Sequence, residues 1–244
     1  MIITTTAISF SSISVVLAFC GIRMLQEHMG NHDHWTKKEV GILLPVFLFN
    51  FALGNRQLAV GSLFFTGSPR IFYWLILISS IFLTITAILG VYIIFYLYFP
   101  LISPLPGMAF AFILGIPLVV FTFVNHPHPF IDSGGAIDLN FSRGTSVLLS
   151  YLLFISIGST FLIFVPLFSK AKTHEVRSIS LIMSCLAIIG IINVFIRYLL
   201  PNGITPDSLR NRLFDITLTI LGLVFIAIFL LPPILVKWFS KIKN

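Results

Sequence analysis

The chain has 244 residues, of which 57% are hydrophobic and only 9% charged, and its mean hydropathy is +1.05. A soluble domain carries about 25% charged residues, so lipid is the solvent for most of this chain. The formal charge of +7 comes from 15 Lys and Arg scattered between apolar runs, with no basic stretch interleaved with aromatics. That pattern argues against nucleic acid and fits the loop bias of membrane proteins.

A helical span needs roughly 20 apolar residues. On that ruler seven spans are predicted, at 4–22, 41–64, 71–99, 106–124, 146–168, 178–200 and 213–236. The expected fold is an all-α integral membrane protein, one seven-helix bundle over residues 1–244. The first run has no basic residues before it and no A-x-A site, and Arg23 follows it. An uncleaved span with its N-terminus outside is predicted.

The loop "EHMGNHDHWTKKE" after span one holds His28, His32 and His34 around Asp33. These are donor types for zinc or copper, but no cysteine or ligand spacing fixes a geometry, and a solvated loop is the simpler reading. Span two carries Asn50, Asn55, Arg56 and Gln57 in its middle, within "FNFALGNRQLAVG". One helix, two shorter pieces and a re-entrant segment are all open there. Span three is long enough to tilt or to project beyond the lipid.

Span four runs into "GIPLVVFTFVNHPHPFID", where Pro127 and Pro129 deny a helix beyond Asn125. Asn125, His126 and His128 are the outer-loop candidates. They belong to an ordered lid over the bundle, and the histidines offer pH sensitivity near neutrality. Cys20 and Cys185 lie in apolar segments without CxxC spacing and read as small fillers. After the last span, "KWFSKIKN" places Trp238 and three lysines at the headgroups, and no soluble output domain is expected.

Orientation follows from the basic residues. With the N-terminus outside, the inner connections hold Arg23, Lys37, Lys38, Lys170, Lys172, Arg177, Lys237, Lys241 and Lys243. The outer side holds Arg56, Arg70, Arg143, Arg197, Arg210 and Arg212. Nine against six predicts a cytoplasmic C-terminus.

Ionisable residues within spans are costly and are functional candidates. Arg56, Arg197 and Asp215 qualify, and the matching depths of Arg197 and Asp215 predict an ion pair. Asn50, Gly54, Gln57 and Gly61 recur at helical spacing on span two. Gly190, Asn193 and Arg197 do so on span six, and Ser79, Thr86 and Gly90 on span three. Such stripes pack helices closely. The sharper expectation is a polar cavity toward the outer leaflet between spans two, six and seven, with Asn50, Arg56, Gln57, Asn193, Arg197 and Asp215 as its ligand-facing candidates.

Redox and hydrolytic chemistry find no support. No histidine falls within a predicted span, where haem or an intramembrane zinc would need one. Lys237 stands only at the very end of the last span, too far out for a retinal Schiff base, and no G-x-S-x-G, P-loop or H-E-x-x-H pattern occurs. Neither a catalytic residue, a metal nor a cofactor is expected.

Four features together are similar to a known family. They are "IPLVVFTFVNHPHPF" ending in Asn125 and a His-containing loop, Tyr151 early in "SVLLSYLLFISIGSTFLIFV", the short basic connection "FSKAKTHEVRSISLI", and an Asn late in "GIINVFIRYLL". The chain resembles the seven-transmembrane N-terminal sensor module of bacterial histidine kinases and related signalling proteins. The resemblance implies a non-enzymatic receptor in a bacterial inner membrane that signals through a separate partner. A structural subunit of a larger membrane complex is the alternative, and a small transporter or channel is the second. All three take membrane lipids as partners, and none takes nucleic acid.

Overall fold

The computed structural model describes residues 4–30, 38–64, 68–125, 130–131, 137–138, 141–194, 216–217 and 219–220. Six helices account for nearly all of them: α1 (Thr5–Gly30), α2 (Lys38–Phe64), α3 (Pro69–Tyr98), α4 (Leu105–Asn125), α5 (Arg143–Lys170) and α6 (His174–Val194). Between α4 and α5 lies a two-stranded antiparallel hairpin, β1 (Phe130–Ile131) and β2 (Ile137–Asp138), with Ile131 opposite Ile137.

The helix starts follow local chemistry. Thr4 Oγ1 accepts the Ala7 N–H at 3.2 Å ahead of α1, and Ser142 Oγ accepts the Thr145 N–H at 3.3 Å ahead of α5. Both satisfy a first-turn donor that would otherwise lack a partner. Pro69 opens α3, where a missing N–H costs nothing. Pro45, Pro117 and Pro166 sit inside α2, α4 and α5, as membrane helices tolerate when neighbours re-satisfy the freed carbonyls.

Five helices, α1 to α5, are long and apolar enough to cross a membrane. In α6 the apolar stretch is shorter, Val176–Ile192. Five of the seven expected spans are therefore present among the described residues. The predicted sixth, 178–200, is described only to Val194, and the seventh is described at four residues, 216, 217, 219 and 220, all helical. Ser9 Oγ lies 2.9 Å from Thr219 Oγ1, which sets that helical segment beside α1.

The helices alternate in direction. α1 packs on α2, α2 on α3, α3 on both α4 and α5, and α5 on α6, while α6 meets α1 only lightly among the described residues. α4 stands outside this ring on α3 and α5. Its inward stripe is Ala111, Gly115, Leu118 and Thr122, and most of its other side chains are exposed.

Close approach depends on small residues. A Cβ at Gly115 would collide with Thr84, and one at Gly90 would come within 2.6 Å of Ser159 Cβ. Lipid removes any hydrophobic drive between helices, so van der Waals contact at such points holds the bundle. The main core includes Met24, Leu44, Phe47 and Phe164, toward the end away from the hairpin.

Two boundaries differ from the sequence reading. α2 runs unbroken from Lys38 to Phe64, so the Asn50–Gln57 stretch is neither split nor re-entrant. α1 continues two turns past residue 22, carrying Arg23 and His28 into the helix. Hydropathy marks where lipid begins, whereas "RMLQEH" keeps helical propensity beyond that point. His28 is accordingly buried, with its imidazole against Gly41 of α2, rather than solvated in a loop.

Candidate functional site

Asn50, Ser79 and Ser14 bond from one helix to the next among α1, α2 and α3. Asn50 Nδ2 donates to Phe82 O and to Thr86 Oγ1, each at 2.7 Å. Ser79 Oγ donates to Gly54 O at 3.0 Å, and Ser14 Oγ to Ala52 O at 2.9 Å. The stripes on α2 and α3 therefore do what small and amide residues do in lipid, which is to clamp helices.

The remaining candidates are placed as follows. Arg56 is exposed, on an outward stripe of α2 with Ile42, Val46 and Leu53, and Gln57 is half-buried. Asn193 is in the last turn of α6, and Asn125 is the exposed last residue of α4. Arg197, Asp215, His126 and His128 lie outside the described residues, as do His32, Asp33 and His34. Among the described residues no three His, Cys, Asp or Glu gather as metal ligands.

Sequence reasoning missed the hairpin. Ile137 of β2 is almost fully buried, and its N–H donates to Thr6 Oγ1 in the first turn of α1 at 2.9 Å. Its side chain packs on Phe72 and Ile76 of α3, with Leu58 of α2 and Phe141 beside them. Two alternating residues give no readable period, and the burial depends on a partner far away in the chain. The apolar Ile137 amid "DSGGAIDLN" was the one available signal.

Beneath this hairpin is a cavity of ≈ 140 Å³. Leu58, Ile76 and Phe141 belong both to its wall and to the cluster under Ile137, so the hairpin stands beside it. α1 contributes Phe10, Ile13 and Leu17, and α6 contributes Met183, Ala187 and Gly190. Phe51 of α2 and Leu149, Leu153 and Ile157 of α5 close the remaining sides.

The wall has four polar side chains among the described residues, and each gives one donor to a backbone carbonyl. Asn55 Nδ2 donates to Phe51 O at 2.8 Å, Ser80 Oγ to Ile76 O at 3.1 Å and Thr160 Oγ1 to Ser156 O at 2.9 Å. Ser79 is the fourth, bonded to Gly54 as above. Asn50, Arg56 and Gln57 are not part of this wall. The described cavity is thus apolar and lies between α1, α2, α3, α5 and α6; Arg197 and Asp215 of the polar cavity expected between spans two, six and seven lie outside the described residues.

Fold and site together define a helical, membrane-embedded protein with an apolar cavity between its helices. The chain matches no family model, and no curated protein or solved structure is similar to it.

Proposed function

We propose that this chain is a non-enzymatic receptor and transducer of a bacterial inner membrane. Its hairpin end faces outward, and it signals through a separate partner protein, in the manner of the seven-helix sensor modules of histidine kinases. The observation that supports this reading is the apolar cavity, lined by five helices and Phe141, beside the buried Ile137. α1 and α6 meet only lightly and both line it, so an occupant changes how these two helices pack. Rigid helices carry that change to the far end, where His28 of α1 rests on Gly41 of α2. Such coupling requires an occupant that favours one helix arrangement over another.

A transporter or channel would offer charged groups or interrupted helices along a midplane path. α2 is continuous through Gly54–Gln57, and the described wall carries no charge, so receptor function is the better-supported reading. Isolation from native membranes in mild detergent tests it. The receptor reading expects a partner with a soluble signalling domain, bound in variable proportion. A fixed set of membrane subunits at constant stoichiometry overturns it in favour of a structural subunit.

A further inference from the structure

We infer that the apolar cavity binds a small uncharged hydrocarbon group, an aromatic ring or a short alkyl chain. The inference rests on the receptor reading of the same cavity and names its ligand class. Three observations converge on it.

Size comes first. A dry cavity of about 150 Å³ lined by Leu, Ile and Phe takes up benzene or xenon, and this one measures ≈ 140 Å³ with walls of the same kind. It accommodates one ring or a few methylenes.

Chemistry comes second. The hydroxyl protons of Ser79, Ser80 and Thr160 are all taken by carbonyls, and Asn55 is tied to Phe51. A polar ligand would give up water and meet no free hydroxyl donor, a cost that selects against it. A charged ligand fares worse, because no charged side chain stands among the described wall residues and Arg56 is exposed on the outward stripe of α2.

Construction comes third. The opposite half of the bundle is filled by Phe47, Phe164, Met24 and Leu44, each fully buried. The same chain therefore packs tightly where it packs on itself. A void lies under the hairpin, where small residues, Gly54, Ala187 and Gly190, hold back the wall. Such a void leaves wall atoms without contacts, and an apolar occupant restores them.

The hydrocarbon can arrive as a free small molecule or as the acyl chain of a lipid, and photolabelling separates the two. The full chain is placed in lipid nanodiscs and exposed to a trifluoromethyl-phenyl-diazirine. In a second arm it meets a phospholipid with a diazirine in its acyl chain, and labelled residues are mapped by mass spectrometry. Labelling is expected at wall residues such as Phe51, Leu153 and Met183, suppressed about tenfold by excess toluene or by Ala187→Phe, which fills the void. Thr160→Val, which removes the wall hydroxyl and keeps its shape, should leave labelling unchanged.

Wall labelling by the first probe alone identifies a free molecule, and by the second an acyl chain. Either result supports the site. If both probes mark only outward residues such as Val46 and Leu53, or if Thr160→Val abolishes wall labelling, the inference is overturned. Should Ala187→Phe fail to fold, competition by toluene carries the same comparison on the native chain. Occupancy is read here without any signalling output. A labelled wall beside a fixed-subunit complex retains the site and rejects the receptor, and an unlabelled wall beside a signalling partner does the reverse.

Discussion

The Thr6 hydroxyl accepts the Ile137 N–H at 2.9 Å, joining the first turn of α1 to a hairpin 131 residues further along the chain. Both residues are buried, so this bond holds the hairpin beside the cavity to α1, one of its wall helices. Thr6→Val keeps the shape and deletes the acceptor, leaving a buried N–H at a cost of about 1–3 kcal/mol. The Ile137 amide should then exchange with solvent roughly ten times faster or more, while the core amides around Phe47 stay protected. Unchanged exchange at Ile137 would show that the hairpin is held by packing alone.

Asn50 clamps α2 to α3 through Phe82 O and Thr86 Oγ1. Interhelical hydrogen bonds in lipid average about 0.6 kcal/mol. With two of them lost, Asn50→Ala should destabilise the bundle by about 1 kcal/mol. Gln57→Ala, half-buried on the same helix, should change stability by less than about 0.5 kcal/mol. Steric-trap unfolding in bicelles measures both, and equal losses would remove the clamp from this account.

Gly90 and Ser159 test the packing itself. A methyl at Gly90 meets Ser159 Cβ at 2.6 Å, closer than real atoms come, so Gly90→Ala should cost about 1–3 kcal/mol by overpacking. Ser159→Gly removes the opposing atoms, and the double variant should recover most of the loss. A purely additive double-mutant cycle would mean that α3 and α5 do not touch there.

Arg56 stands on the outward stripe of α2 with Ile42, Val46 and Leu53. Its long stem lets the guanidinium snorkel toward the headgroups. Arg56→Leu should therefore leave stability unchanged or raise it in nanodiscs. A loss above about 1 kcal/mol would instead show that the charge is held by a partner.

The spans of α2 to α5 were legible because lipid demands long apolar runs, and their limits came within three residues of the helix ends. α1 was not, since "RMLQEH" is helical without being apolar, and His28 was read as a loop residue for that reason. The Asn50 stripe was readable from its spacing. Its partners, Phe82 O and Thr86, were not, because helical period gives a face but no neighbour. Ile137 was the least legible. A two-residue strand has no period, and its burial is decided by Thr6, Phe72 and Ile76 on other elements.

The central claim is that filling the cavity under the hairpin changes the helix arrangement at the opposite end. Met29 of α1 and Leu181 of α6 are both exposed there, Cys20 is buried, and Cys185 is the one exposed cysteine. Spin labels at Met29→Cys and Leu181→Cys in a Cys185→Ser background report the α1–α6 distance in nanodiscs. With Ala187→Phe standing in for an occupant, the distance distribution should move by about 1–2 Å or change its balance between two populations. A single distribution, identical with the cavity open and filled, would falsify the transducer account.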